Sequence, residues 1–238
     1  MQVIDVPASA GITWIKLSFA LFRAQPAGWI SLVFAWLLTT FALFFVPLVG
    51  GAVATILQPG FFAGFVLAAR DQEMGRRLGV HQLFAAFRAN GRQLVAIGSI
   101  TLLADLLVIA VLGIMGFPYT IPVDANGMPD MRAYMQLLDG KQWMLALDFA
   151  LMITINGALW FTAAILALNQ MPATHAIRWS CYALIANFFP MLVFGAMMMA
   201  IFMLASLPFF LGLLVAMPIY AIAHYVSYRD LFRPTAEV

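Results

Sequence analysis

Asp105 is the residue in this chain whose type and setting point most directly to chemistry. It lies near the middle of an apolar run, in Leu-Leu-Ala-Asp-Leu-Leu. An aspartate at the centre of a membrane helix costs about 2.5–3.5 kcal/mol on insertion scales, so it is expected to face the bundle interior beside a partner. Two readings stand. One is a proton or cation relay, or a substrate contact. The other is a hydrogen-bonded group that fixes helix packing. Gln58 and Asn156 are the candidate partners, for they precede Pro59 and Gly157. A proline or glycine interrupts a helix and frees backbone carbonyls at that depth, as in many transporter sites. The plainer reading is that such kinks are common and that amides join helices at about 0.6–2 kcal/mol each.

Other candidates are weaker. Asp148 falls near the outer end of its apolar run, within reach of water. His224 falls near the inner end of the last run, where a lone histidine is more often an interfacial hydrogen-bonder than a ligand. Met199 and Met203 are four apart, so their thioethers share a helix face that could meet a soft ion such as Cu(I). Methionine is also an ordinary gap filler, and no His or Cys stands nearby. No cofactor is implied. The chain has no Gly-rich phosphate loop, no Gly-x-Ser-x-Gly and no His-Glu-x-x-His. No compact polar cluster appears, so nothing points to an enzyme.

The elements that position these residues follow from composition. Of 238 residues, 64% are hydrophobic and 9% charged. A soluble domain carries about a quarter charged residues. A bilayer accepts such a chain because it solvates apolar side chains directly. The net charge of +2 is too small to suggest nucleic acid. One cysteine, Cys181, excludes an intrachain disulfide. No cleavable signal peptide is evident, and the first span is expected to act as an uncleaved anchor.

Six runs are long and apolar enough to span, near Gly28–Val46, Leu48–Ala69, Leu94–Phe117, Trp143–Leu168, Phe188–Ser206 and Phe209–Val226. The first and third pairs are joined by tight turns at Pro47 and Pro208. Ten of the twelve Lys and Arg fall on one side of these spans. The Pro118–Gln142 loop on the other side carries Arg132 and Lys141 against three aspartates. The positive-inside rule then predicts a multi-pass protein of the bacterial inner membrane with both termini cytoplasmic.

Before each hairpin lies a segment too polar to span, and the three segments align. Ile15, Val80 and Ile177 correspond, then Phe19, Phe84 and Cys181, then Phe22, Phe87 and Leu184. The spacing i, i+4, i+7 marks one helix face. Lys16, His81 or Arg178 follows the first position. Each segment closes in Ala24-Gln25, Ala89-Asn90 or Ala186-Asn187. Pro59 and Pro218 are each followed at one spacing by Arg-Asp (Arg70-Asp71, Arg229-Asp230), with Gly157 and Asn169 in the middle copy. The expected architecture is therefore all-α and membrane-embedded. A single domain holds three hairpin repeats, at about 8–71, 72–169 and 170–231, each preceded by an interfacial amphipathic helix. Phe residues and Trp14 are expected toward acyl chains.

This layout resembles the YciC-like six-span group of uncharacterised proteobacterial inner-membrane proteins. The resemblance covers the whole chain and implies fold and location, but no activity.

Three functions are compatible with this frame. The first is a small transporter or lipid-handling protein with a cavity lined by Asp105, Gln58 and Asn156. The second is a non-catalytic subunit or assembly factor that meets other membrane subunits through Gly50, Gly51, Gly60 and Gly64. The third is a binder of anionic lipid or a partner through Lys16, His81, Arg178, Arg23 and Arg88.

Overall fold

In a medium without water, a backbone must satisfy its own hydrogen bonds, so apolar runs of this length fold as helices. The structure, a computed structural model, describes residues 1–169, 171–207 and 209–233, with the backbone alone at 233. Pro208, the Arg233 side chain and Gln170, where the third unit is expected to begin, lie outside the described residues. The helices are α1 (Ala10–Ala24), α2 (Pro26–Phe44), α3 (Gly50–Glu73), α4 (Ala85–Ile114), α5 (Met131–Leu137), α6 (Gln142–Ala158), α7 (Thr162–Asn169), α8 (Ala173–Ala186), α9 (Phe188–Ser206) and α10 (Leu213–Leu231). A short antiparallel ribbon pairs β1 (Gln2–Val3) with β2 (Phe232–Arg233) and joins the two ends of the chain.

The chain is an all-α membrane protein. Among the described residues, five helical segments are long and apolar enough to cross a membrane: Pro26–Phe44, Gly50–Glu73, Val80–Ile114, Gln142–Asn169 and Phe188–Ser206. The expected sixth span corresponds to α10. This helix is as long as α2 and α9 but less apolar. Its composition follows from its place, because α10 is the most enclosed helix, packed against α1, α2, α3, α7 and α9. A helix sheathed by other helices carries His224, Ser227 and Tyr228 without facing lipid.

The inner helices are α3, α7 and α10, which pack on one another, while α2, α4 and α9 lie outside them. The packing is lopsided along the membrane normal. The main core lies toward the end that carries the β1–β2 ribbon, the basic end, and joins Trp14, Trp29, Phe65, Phe161, Ile222 and Leu231. A second, separate cluster of Val108, Leu112, Phe117, Leu138 and Met144 belongs to α4, α6 and the loop between them. Beyond Val33 in α2, and beyond Met198 in α9, no described residue of either helix is buried. The helices are thus packed together at the basic end and separate toward the opposite end.

Three local expectations are revised. The expected fourth span breaks at Leu159–Phe161 into α6 and α7, beside Gly157, because glycine weakens a helix. The second surface segment is no separate helix. It is a 3-10 turn, Val80–Phe84, running into α4 up to a kink at Asn90 (φ −137°). Trp14 does not face acyl chains. It is fully buried, on an α1 stripe of Ala10, Trp14, Ser18 and Phe22 that turns toward α9 and α10.

Candidate functional site

The surface segments give way to spanning helices at Gln25, Asn90 and Asn187. All three leave helical geometry there, with φ of −144°, −137° and −117°. Each break frees backbone groups, and each amide reaches another segment of backbone. Gln25 donates from Nε2 to the Arg76 carbonyl (3.1 Å) and accepts the Leu78 N–H at Oε1 (3.0 Å). Asn90 Nδ2 donates to the Leu166 carbonyl (2.7 Å). Asn187 is fully buried, accepts the Val6 N–H (3.0 Å) and donates to the Ile4 carbonyl (3.1 Å). In each case the acceptor lies upstream of the next surface segment in cyclic order. Ile4 stands as far before Ile15 as Leu166 stands before Ile177. The sequence showed the closing amides. Their partners were hidden because they are backbone groups.

Three indoles seal the same end. Trp14 Nε1 donates to Asp230 Oδ2 (2.8 Å), Trp29 Nε1 to Gln72 Oε1 (2.7 Å) and Trp160 Nε1 to Ser227 Oγ (3.3 Å). Gln72 Nε2 passes the link on to the Leu21 carbonyl (2.8 Å). Three carboxylates here, Asp71, Glu73 and Asp230, are engaged internally. Asp71 receives Gln82 (3.0 Å) and ion pairs from Arg70 (3.4 Å) and Arg76 (3.5 Å). Glu73 holds Arg229 and accepts the Tyr225 hydroxyl (2.7 Å).

The predicted surface residues Lys16, Arg23, His81, Arg88 and Arg178 are all exposed at this end, as are Arg77 and Arg92. None of the seven has an acidic partner among the described residues. Exposed apolar side chains lie beside them: Ile12, Leu17 and Phe19 on α1, Val80 and Phe84 in the 3-10 turn, and Tyr182 and Ile185 on α8. The arrangement is a cationic collar studded with apolar side chains. Of the acids at this end, Asp71, Glu73 and Asp230 are occupied elsewhere, while Asp5 is exposed and makes no such bond among the described residues.

The intramembrane candidates are distributed differently. Asp105 is half-buried on α4, and its buried Oδ1 has no hydrogen-bond partner among the described residues. Gln58 is exposed and lines a small pocket of about 110 Å³ between α2 and α3, with Trp36, Thr40 and Thr55. Asn156 is exposed and donates to the Met152 carbonyl of its own helix (2.8 Å). Neither Asp105 nor Asn156 lines the pocket that Gln58 lines. Met199 and Met203 are exposed on α9. Tyr119 donates to Asp148 (3.0 Å), and burial followed by that carboxylate pushes the phenol up to about 12.

Two expectations change here. His224 is buried, not interfacial, because α10 is interior. Its ring lies between Trp160 (centroids 3.7 Å apart) and Phe62 (4.5 Å), and Nδ1 meets the Tyr220 carbonyl (3.2 Å). The Gly60 and Gly64 pair is used within the chain. A Cβ at Gly60 would collide with the Phe87 ring and one at Gly64 with the Leu83 carbonyl, so these positions bring α3 against the α4 segment.

A protein of Burkholderia thailandensis, named as a probable inner membrane protein, is 26% identical to this chain over 255 residues. The match covers 98% of this chain and 94% of that one. No protein-family model and no solved structure matches. The likeness extends over the whole membrane domain and agrees with the transmembrane helices. The YciC-like resemblance rests on layout alone.

Proposed function

We propose that this chain is a six-span inner-membrane protein with both termini cytoplasmic, whose cationic collar binds anionic lipid headgroups. It is a lipid-handling protein on this reading, and membrane lipid is its first partner. One observation carries it. Asp71, Glu73 and Asp230 are taken up by internal bonds, while Lys16, Arg23, Arg77, Arg88, Arg92 and Arg178 stay exposed without an acidic partner among the described residues. A basic residue near an anionic leaflet contributes about 1 kcal/mol. Six of them, flanked by exposed apolar side chains, suit a headgroup layer better than water.

The three-unit architecture belongs to the same reading. Support comes from the cyclic order of the Gln25, Asn90 and Asn187 contacts and from the inner position of α3, α7 and α10. The named Burkholderia relative fits the assignment to the inner membrane.

The test is the thermal stability of purified protein in neutral detergent, titrated with phosphatidylglycerol or phosphatidylcholine. A ligand that binds only the folded state raises stability by mass action. Phosphatidylglycerol should raise the unfolding temperature and phosphatidylcholine should not. The variant Lys16→Gln/Arg88→Gln/Arg178→Gln should lose most of the response. An equal response to both lipids, or an unchanged response in the variant, refutes the reading.

A second reading rests on Asp105. A carboxylate oxygen buried within a span and left unpartnered suits a contact to a transported cation or amphiphile. It requires that Asp105→Asn abolish uptake or efflux in a cell assay at unchanged protein level.

A further inference from the structure

The two short hairpins end differently from the middle one. From Phe41 to Ala54, and from Leu207 to Ile219, the sequence contains no polar side chain. The middle hairpin instead ends in a folded polar excursion. There Asp124 caps a turn, Asp130 accepts the Arg132 and Ala133 N–H groups, and Lys141 Nζ holds the Gly116 carbonyl (2.8 Å). A turn that emerges into water is ordinarily polar and glycine-rich.

The described tip residues are strongly exposed within the molecule. Leu48 is fully exposed and Phe209 is 92% exposed, with Phe45, Phe210 and Leu211 beside them. Leu48 (φ 67°), Phe209 (φ 50°) and Phe210 (φ 64°) occupy the left-handed region. Glycine and asparagine are the residues that tolerate it, and any other side chain is strained there. Leucine and phenylalanine at these positions exchange an easy backbone for apolar surface.

The tip backbone is internally bonded in part, with the Leu48, Gly51 and Ala52 N–H groups of the first tip left without a partner among the described residues. The N–H groups of Phe45, Val46, Val49 and Gly50 bond within the first tip, and those of Phe209, Phe210 and Leu213 within the other. Length agrees. At about 1.5 Å per residue, the 19 residues of α2 and the 19 of α9 each rise about 28 Å from the collar, within a hydrocarbon core of about 30 Å.

We infer that the α2–α3 and α9–α10 tips end inside the hydrocarbon of the far leaflet and are covered by its acyl chains, so that the middle hairpin alone reaches the far aqueous phase. Acyl chains are the occupant because the tips continue the lipid-facing sides of α2 and α9 without a break. They offer bulky Phe and Leu rather than the small or polar groups through which helices dock. The inference rests on the reading of six membrane-embedded helices, shortens the reach of four of them, and does not depend on the orientation.

The test uses Cys181→Ser protein carrying Leu48→Cys, Phe209→Cys or Met128→Cys, in spheroplasts and in inverted vesicles. A membrane-impermeant maleimide should label Met128→Cys from one side. It should label Leu48→Cys and Phe209→Cys at least tenfold more slowly from either side. Nitroxides at the two tip positions should collide with dissolved oxygen in preference to a nickel chelate. Tip labelling at the Met128→Cys rate overturns the inference, and so does exclusion of both oxygen and nickel, which marks a protein cover. Labelling of Met128→Cys from the cytoplasmic side contradicts the proposed orientation and leaves the inference standing.

Discussion

Replacing Asn187 by alanine removes a buried amide that ties the start of the chain to the α8–α9 junction. The side chain accepts the Val6 N–H and donates to the carbonyls of Ile4 and Ala183. Truncation strands the Val6 N–H and the Ile4 carbonyl. Each fully buried unsatisfied group costs about 1–3 kcal/mol, and because both of these are only part-buried the loss lies at the lower end of the sum, about 2–4 kcal/mol. For a chain of this length each kcal/mol lowers the unfolding temperature by about 2–4 °C, giving a fall of about 5–15 °C. The same change at Asn90 removes one bond, to Leu166, and should cost about 1–2 kcal/mol. At Gln25, whose bonds lie nearer the surface, the cost should be under about 1 kcal/mol. The assay is thermal unfolding of purified protein in one detergent at one scan rate. The expected order of damage is Asn187, Asn90, Gln25. A shift under about 1 °C for Asn187→Ala, or a reversed order, would refute the view that these amides close the bundle.

Two further outcomes follow from the same structure. Asp105 carries an unpartnered carboxylate oxygen, so Asp105→Leu should leave stability unchanged or raise it by up to about 2 kcal/mol; a clear loss in the unfolding assay would mean that the aspartate fixes packing after all. Leu48→Gly should relieve about 1 kcal/mol of backbone strain, whereas Leu48→Asn, equally at ease in the left-handed region, should destabilise because its amide enters acyl chains; stabilisation by both would place the tip in water.

Much of this arrangement was legible in the residues. Span length and hydropathy outlined the long apolar helices, because they reflect a local rule of membrane solvation. The pairs ending in Gln25, Asn90 and Asn187 stood out as polar matches between copies. Their purpose did not, since a side chain that bonds distant backbone leaves no complementary residue to find. The orientation of Trp14 was misread for a related reason. Amphipathic spacing separates polar from apolar faces, but it does not tell a protein neighbour from a lipid one. The interior position of α10 had the same effect on His224. Gly60 and Gly64 read as an open docking stripe, whereas the facing Phe87 and Leu83 belong to the same chain.

The central claim is that the unpaired cations recognise anionic headgroups. It is tested most directly by energy transfer from the collar tryptophans to dansyl-labelled lipids in reconstituted vesicles. Trp14, Trp29 and Trp160 supply signal from the basic end. Dansyl-phosphatidylglycerol should be enriched over dansyl-phosphatidylcholine, and the enrichment should fall as salt rises, because exposed charges are screened. Lys16→Gln/Arg88→Gln/Arg178→Gln removes about 3 kcal/mol of attraction and should weaken phosphatidylglycerol binding on the order of 100-fold. Equal transfer from both lipids at every salt concentration would contradict the claim.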